Sequence, residues 1–167
     1  IAIAFTGYYP EQGDFLFIIS GFSVAFAFYY FFCKNLLTTH TLSFWLTVAV
    51  VARIILLFSF PNLSDDIYRF IWDGYLINHG INPFDYLPTH YIKEGTNIPG
   101  ITPALFDELN SPEYFTIYPP VCQAIFAFGT WLFPSDWWGS AVTMKLFFLF
   151  FEIGTIYFGL KLLRHFK

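Results

Sequence analysis

Long apolar runs separated by short polar segments dominate this chain of 167 residues. Three of the runs, at about 15–33, 42–60 and 141–163, approach the roughly 20 residues that a helix needs to cross the hydrocarbon core of a bilayer. A fourth run, at about 121–133, is bounded by prolines, and runs of about 10 to 14 apolar residues are more often interfacial than spanning. The pattern therefore predicts an all-α, polytopic integral membrane protein with three transmembrane helices.

The basic residues predict how these helices are oriented, because Lys and Arg accumulate in loops on the cytoplasmic side of a membrane. Lys34 and His40 lie between the first two runs, and the basic residues Lys161, Arg164, His165 and Lys167 lie at the end of the third run and directly after it. Placing both groups in the cytoplasm makes the loop 61–140 external and keeps the short fourth run from crossing. We therefore expect three crossings and a large external loop.

Composition agrees with a membrane location. The chain is 56% hydrophobic, 24% aromatic and only 12% charged, whereas an average soluble domain is about 25% charged. The net charge of -4, without a Lys/Arg cluster before the last few residues, excludes nucleic acid as a partner. Because the chain opens on Ile1 rather than Met and closes on Lys167 directly after an apolar run, we expect residues 1–167 to be a fragment of one polytopic membrane domain.

A helix along the membrane surface is predicted over about 64–79. Ser64 is suited to cap its first turn, and Gly80 and Pro83 supply stop signals after it. The rest of the loop up to the prolines is rich in Pro, Gly, Asn and Thr and is predicted to be irregular. The fourth apolar run, 121–133, then forms a second interfacial helix.

Charged side chains recur at helical spacing along the first of these helices. Asp66, Arg69 and Asp73 fall on one face, whereas Ile67 and Ile71 belong to another, apolar face. We therefore expect the helix to turn its charged face toward water or a substrate and its apolar face toward the membrane.

The adjacent carboxylates of Asp65 and Asp66 are the strongest candidates for catalytic residues. Paired acidic groups at a bilayer surface can accept a proton from a substrate hydroxyl or hold a divalent metal. The alternative is that both only stabilise the start of the helix, where acidic residues are common. Arg69 lies four residues after Asp65 and four before Asp73, so it can either bridge these carboxylates or bind a phosphate.

Arg53, Lys145 and Glu152 lie well inside the apolar runs, where a charged group costs about 3 kcal/mol on insertion scales and is usually functional or paired. Arg53, in the second run, can reach toward the acidic loop or snorkel to the interface. Lys145 and Glu152, in the third run, share roughly one face. We expect them to pair with groups in helices outside this sequence, and Lys145 suits a contact with a lipid phosphate.

Four stretches of the chain recur together in one family: an acidic pair in NLSDDIYRFIWDGYLINHGINPF, the Pro-Pro in YFTIYPPV, a short interfacial helix and the span that follows. From about residue 42 to 163 the chain resembles the first catalytic module of the GT-C glycosyltransferases, membrane enzymes that take a sugar from a polyprenyl phosphate. It is most similar to their bacterial mannosyltransferase-like branch. Each motif alone is weak, but the combination is fairly specific. The resemblance implies a GT-C-like fold whose first external loop carries the catalytic Asp.

Residue by residue, the resemblance implies that Asp65 is the catalytic base and that Asp66 occupies the neighbouring acidic position. A related branch has Lys directly before the Pro-Pro, where this chain has Tyr118. We therefore expect phosphate recognition chiefly from Arg69 and Lys145. The other candidates for substrate or phosphate binding are Asp73, Tyr118 and Arg53.

The reaction that the resemblance implies is a single displacement. A carboxylate accepts the proton of an acceptor hydroxyl as its oxygen attacks the anomeric carbon, and the polyprenyl phosphate leaves as an anion. The anomeric centre is inverted, unlike in a two-step retaining route. The expected partners are a polyprenyl-phosphate-linked sugar such as a hexose of the mannose type, a glycan or lipid acceptor, and membrane lipid. No cofactor is predicted, although an acidic pair can hold a divalent metal. The expected location is the bacterial inner membrane, with loop 61–140 on the periplasmic side.

Two other classes of function stay open. A transporter or channel fragment would use Arg53, Lys145 and Glu152 along a polar path through the membrane. A non-enzymatic scaffold would pack its aromatic helices against partners, and it would tolerate substitution at Asp65 and Asp66.

Overall fold

In this computed structural model, which describes residues 2–35 and 39–166, all regular secondary structure of the described residues is helical. This confirms the all-α prediction. The side chains of His40 and Lys167, on which the predicted orientation partly depends, lie outside the described part. The helices are α1 (Ala2–Tyr8), α2 (Phe15–Asn35), α3 (Thr39–Leu57), α4 (Asp66–Asn78), α5 (Pro88–Lys93), α6 (Pro103–Asp107), α7 (Pro120–Leu132) and α8 (Trp137–His165).

Two helices among the described residues are long and apolar enough to cross a membrane, α2 over Phe15–Lys34 and α8 over Trp137–His165. The core helix of a soluble protein can have the same length and composition. However, only 6% of the most apolar window of α2 and 0% of that of α8 is buried. In α3 the apolar part, Leu42–Leu57, is shorter and ends before the predicted limit near residue 60. The third crossing therefore stays a prediction.

The chain divides into two compact units. The first consists of Ile1–Leu63 and Phe148–Lys167, and in it α1 packs against α2 and α3. The second, Ser64–Phe147, contains the segment between the predicted second and third spans and the first part of α8. Asp65, Asp66 and the other candidates of the external loop all belong to this second unit.

The first turn of α4 is arranged differently from the prediction. The helix begins at Asp66, and its N-cap is Asp65 rather than Ser64. The side chain of Asp65 makes no capping hydrogen bond, while Ser64 Oγ accepts a long hydrogen bond of 3.4 Å from the backbone N–H of Asp66. Ser64 thus acts from one position outside the N-cap, and the carboxylate of Asp65 is not used to close the helix.

The end of α4 confirms the predicted stop at Gly80. The helix ends at Asn78, and Gly80 has a φ of 74°, in the left-handed region that favours glycine. The N–H of Gly80 donates to Ile77 O at 2.9 Å, and the N–H of Ile81 donates to Leu76 O at 3.0 Å. These two bonds form a Schellman motif, which turns the chain sharply away from the helix axis.

The loop that was predicted to be irregular contains two short helices, α5 and α6, so this part of the prediction is wrong. Both begin with Pro at the first position, Pro88 and Pro103. There the missing N–H costs nothing, because the first turn of a helix has no internal partner for it. Thr102 caps α6 by accepting a hydrogen bond from the N–H of Leu105 at 3.2 Å. These prolines mark helix starts rather than breaks.

The second unit is built around the contact between α4 and α7, where Gly74 allows the two backbones to approach closely. A Cβ on Gly74 would lie 2.5 Å from Phe126 O and 2.6 Å from Thr130 Oγ1. Beside this contact, Asn78 Nδ2 donates to Thr130 Oγ1 at 2.9 Å. The rings of Phe70 and Phe126 stack with centroids 4.4 Å apart. The largest fully buried apolar side chains of the unit are Trp72, Phe126, Ile71, Leu76, Leu105 and Met144.

We predict that Gly74→Ala lowers the free energy of unfolding of the second unit by about 1–3 kcal/mol, because the added methyl group overlaps a backbone carbonyl that cannot move easily. Gly154→Ala is the matched control, since a Cβ on this helical glycine of α8 meets nothing within 4 Å and alanine favours helix. Denaturant unfolding of both variants in the same lipid nanodiscs measures the difference. Equal stability of the two variants would contradict the close contact.

Candidate functional site

Asp73 is the centre of a buried polar network. Its side chain is fully buried, at 0% exposure. Asp73 Oδ1 accepts a hydrogen bond from Arg69 Nε at 3.0 Å. Asp73 Oδ2 accepts from Thr116 Oγ1 at 2.5 Å and from Gln123 Nε2 at 2.9 Å. A buried carboxylate is tolerated only when its charge is paired and its oxygens are hydrogen-bonded, and these three donors meet both conditions.

Arg69 links the network to the backbone of the loop before α7. Its side chain is buried at 6% exposure, and Nη1 donates to Tyr114 O at 3.0 Å and to Ser111 O at 3.4 Å. Together with the bond to Asp73, these contacts fasten the segment 111–116 to α4. Arg69 therefore bridges Asp73 and the backbone of the segment 111–116, which leaves its guanidinium less suited to bind a phosphate directly.

The predicted orientation of the charged face of α4 is wrong for two of its three residues. Asp66 is half-buried, whereas Arg69 and Asp73 are buried rather than turned toward water or a substrate. The reason is that the segment 111–116 lies over this face and supplies hydrogen-bond partners to both side chains. Arg69 and Asp73 thus form an internal ion pair at i, i+4 spacing.

The acidic pair at the start of α4 is placed differently from Asp73. Asp65 and Asp66 are both half-buried, and an oxygen of Asp66 accepts from Asn110 Nδ2 at 3.1 Å. Next to them, the rings of Tyr68 and Trp137 meet edge to face with centroids 5.7 Å apart. Both carboxylates lie at the amino end of the helix dipole, which favours negative charge. A solvent-accessible acidic pair held beside aromatic rings can accept a proton from a bound hydroxyl.

Tyr118 is close to Asp66 at the acidic end of α4 and to Asp73 in the buried network. Its ring packs edge to face against Phe70, at 4.8 Å, and against Phe126, at 5.6 Å. Burial raises the pKa of the Tyr118 hydroxyl above its ordinary value, and the nearby negative charges of Asp66 and Asp73 raise it further. The hydroxyl is therefore protonated at neutral pH and suited to donate a hydrogen bond, for example to a phosphate oxygen, rather than to act as a base.

The remaining two candidates lie on the apolar helices. Lys145 belongs to the part of α8 in the second unit and is half-buried. In the first unit Arg53, on α3, forms an ion pair with Glu152, on α8, and Arg53 Nη1 also donates to Ala49 O at 3.1 Å. The expectation that Glu152 pairs with a helix outside this sequence is therefore wrong. Its partner is Arg53, and the pair neutralises two charges that lie within apolar stretches of α3 and α8.

The structure thus brings Asp66, Arg69, Asp73 and Tyr118 into one region, with Asp65 at its edge. It also adds members that the sequence did not single out, namely Asn110, Thr116 and Gln123. The one signal that could have indicated them is the amide of Gln123 within the otherwise apolar first turns of α7. Among the described residues, no group of three or more His, Cys, Asp or Glu side chains is arranged to share a metal ion.

Comparison of the chain with models of known protein families, with curated proteins and with solved structures finds no match. Inference about function therefore depends on the geometry of the acidic pair and its surroundings and on the motifs in the sequence.

We predict that Asp73→Asn lowers the free energy of unfolding by about 3–5 kcal/mol, because it leaves the buried guanidinium of Arg69 without its counter-charge. Asp66→Asn, on the same helix, should cost less than about 1 kcal/mol, since Asp66 is half-buried and its hydrogen bond comes from the neutral amide of Asn110. Thermal unfolding in nanodiscs compares the two variants. Similar losses at both positions would contradict the central role of Asp73.

We predict that Tyr118 ionises above the ordinary tyrosine pKa of about 10. Because the pKa is raised in the folded state, the stabilisation linked to this proton is complete below pH 10 and is lost as the pH rises through the folded-state pKa. Tyrosinate absorbance is measured against pH for the chain and for its Tyr118→Phe variant, and the difference between the two curves gives the pKa of Tyr118 in the folded state. The same difference measured in denaturant gives its pKa in the unfolded state. A folded midpoint at or below the unfolded one would contradict the burial of the hydroxyl.

Proposed function

We propose that this chain is part of a membrane glycosyltransferase that transfers a sugar, such as a hexose of the mannose type, from a polyprenyl phosphate to an acceptor hydroxyl. One observation carries the proposal: Asp65 and Asp66 are half-buried at the start of a helix whose other two charged side chains, Arg69 and Asp73, are buried and engaged in internal hydrogen bonds. The partly exposed acidic pair is thus distinct from the buried ion pair of Arg69 and Asp73. The motif combination around Asp65 and around the Pro-Pro supports the same reaction class.

In the proposed reaction a carboxylate of the acidic pair, with Asp65 the first candidate, accepts the proton of the acceptor hydroxyl. The acceptor oxygen forms a bond to the anomeric carbon as the bond from that carbon to the phosphate oxygen breaks. The electron pair of the broken bond leaves with the polyprenyl phosphate, so that no general acid is required for an already anionic leaving group. The product has the inverted anomeric configuration.

Three features of the site suit the charge changes of this reaction. The amino end of α4 stabilises negative charge, whether on the carboxylates or on a phosphate near them. The protonated hydroxyl of Tyr118 can donate to a phosphate oxygen, and Lys145 is the candidate cation of the same unit. The long apolar helices α2 and α8 suit a location in the bilayer, where a lipid-linked donor is presented. We place the acidic pair on the external face of a bacterial inner membrane.

We expect Asp65→Asn to lower the rate of sugar transfer by about a hundredfold or more, as is typical for loss of a general base, and Asp66→Asn to lower it as well. The measurement is transfer of labelled sugar from polyprenyl phosphate by the full-length protein in proteoliposomes. Glu113→Gln is the matched control, because this carboxylate of the same loop is exposed. Both Asp variants must be folded and about as stable to unfolding as the parent, so that a loss of activity cannot be attributed to a loss of structure.

Unchanged transfer by both Asp variants would reject the acidic pair as the base. A second candidate function, a transporter or channel, is favoured by the ion pair of Arg53 with Glu152 on two apolar helices. In that case Arg53→Gln abolishes solute flux while Asp65→Asn and Asp66→Asn leave it unchanged. The same set of variants therefore separates the two classes of function.

A further inference from the structure

One side of α7 is exposed and apolar. At about 100° per residue, the exposed residues of this helix fall within an arc of about 120°. Its buried residues contact α4, and at Gly129 they contact the first turns of α8. The exposed residues are Pro120, Val121, Ala124, Phe128, Trp131 and Leu132. None of them is charged, and we refer to them together as the outer face of α7.

The segment that precedes α7 adds to this face. Tyr114, Phe115 and Ile117 are 72%, 53% and 84% exposed, whereas Thr116 between them is buried. Because Thr116 Oγ1 donates to the carboxylate of Asp73, the segment is held in place with its large side chains exposed. From residue 114 to residue 135 the sequence contains no Asp, Glu, Lys, Arg or His. The exposed apolar surface of the second unit is defined as Tyr114, Phe115, Ile117 and the outer face of α7.

The apolar face of α4 does not supply a surface for the membrane. The sequence predicted that Ile67 and Ile71 turn toward the membrane, but the two side chains are only 4% and 0% exposed. This part of the prediction is wrong, because both residues belong to the core of the second unit. Contact of this unit with lipid therefore has to come from elements other than α4.

The exposed apolar surface continues onto α8. The ring of Phe128 meets that of Phe147 edge to face, with centroids 5.4 Å apart, and the neighbouring Leu146 is 53% exposed. Helix α8 is long and apolar enough to cross a membrane, and none of its most apolar window is buried. The outer face of α7 is thus continuous with the exposed side of a helix that suits the bilayer.

The chemistry of the surface favours lipid over protein as its partner. A protein interface usually has a polar rim, whereas uncharged surfaces that carry Trp and Tyr are typical of the boundary between lipid and water. Tyr114 and Trp131 are 72% and 65% exposed, and Trp138, in the first turn of α8, is 46% exposed. Apolar area of this kind is stabilised when it is removed from water.

We propose that the exposed apolar surface enters the bilayer at its boundary with water, so that lipid covers both the segment before α7 and the outer face of the helix. The interfacial position predicted for residues 121–133 specified no face of the helix and did not include that segment. The proposal does not depend on any catalytic activity. It does bear on the acidic pair, because Tyr118 directly follows Ile117 and is close to Asp66. The start of α4 then lies near the lipid head groups.

The test places a nitroxide spin label at single cysteines of the full chain, in a background where Cys33 and Cys122 are replaced by Ser. The chain is held in nanodiscs of phosphatidylcholine and phosphatidylglycerol. Ile117→Cys and Val121→Cys carry the label on the exposed apolar surface. Glu94→Cys is the control, since this charged residue at the end of α5 is exposed.

Power saturation of the spin-label signal measures collisions with oxygen, which concentrates in lipid, and with a water-soluble nickel complex. We expect the ratio of oxygen to nickel collisions to be about tenfold higher at Ile117 and Val121 than at Glu94, because a strongly polar complex is excluded from lipid. A ratio at both positions no higher than at Glu94 places the surface in water and overturns the proposal. Low collision rates with both reagents show that protein covers the surface and overturn it too.

Trp131 gives a second readout that needs no label. The fluorescence of the chain minus that of its Trp131→Phe variant is compared in nanodiscs with and without lipids brominated near the head group. Trp131→Phe is conservative and lies at an exposed position, so it retains the fold if a cysteine variant does not. We expect bromine to remove most of the fluorescence that Trp131 contributes, and an unquenched contribution overturns the proposal. No sugar transfer is measured, so these outcomes are independent of whether the acidic pair is catalytic.

Discussion

The buried ion pair of Arg69 with Asp73 is the interaction on which the rest of the second unit depends. A charge in a protein interior is stable only if its hydration is replaced, and here a helix, a loop and a second helix each supply part of that replacement. Because the partners come from α4, from the segment 111–116 and from α7, satisfying one carboxylate fixes three pieces of chain relative to one another. Removing any one of these partners would leave another buried polar group without its hydrogen bond.

This interaction also decides which acidic groups of α4 are available for chemistry. Asp73 and Arg69 are buried and hydrogen-bonded in the network. The partly exposed charged side chains are therefore those of Asp65 and Asp66, at the start of the helix. The close approach of α4 and α7 at Gly74 lets the aromatic rings of Phe70 and Phe126 stack beside Tyr118. A proton acceptor must keep its position relative to a bound substrate. Rigid packing of α4 against α7 would hold a carboxylate at the start of α4 in this way.

The sequence predicted the positions of the long helices better than it predicted which residues pack against them. The 3.6-residue spacing around Ile67 and Ile71 was enough to indicate α4, and Gly80 was enough to indicate its end, because these signals act within a few residues. The short helices α5 and α6 were missed because Pro88 and Pro103 were interpreted as loop residues. Proline at the first helical position and proline in a loop look alike until the following turn is seen.

The burial of Asp73 could not have been predicted in the same way. Its two hydrogen-bond partners beyond α4, Thr116 and Gln123, lie 43 and 50 residues further along the chain. A spacing of four between Arg69 and Asp73 indicates an ion pair equally well on an exposed face and on a covered one. The pairing of Arg53 with Glu152 was missed for the same reason, since nothing local joins two apolar helices that are distant in sequence. Long-range contacts of this kind leave no periodic signal.

The left-handed turn at Gly80 has a consequence for how this protein can diversify. Because a side chain at position 80 would have to adopt a φ of 74°, most substitutions of Gly80 strain the backbone and threaten the two bonds that hold the path from Leu76 to Ile81. Phe84, by contrast, is exposed, and a change of its side chain leaves both bonds intact. Variation of this turn is therefore easier at Phe84 than at Gly80.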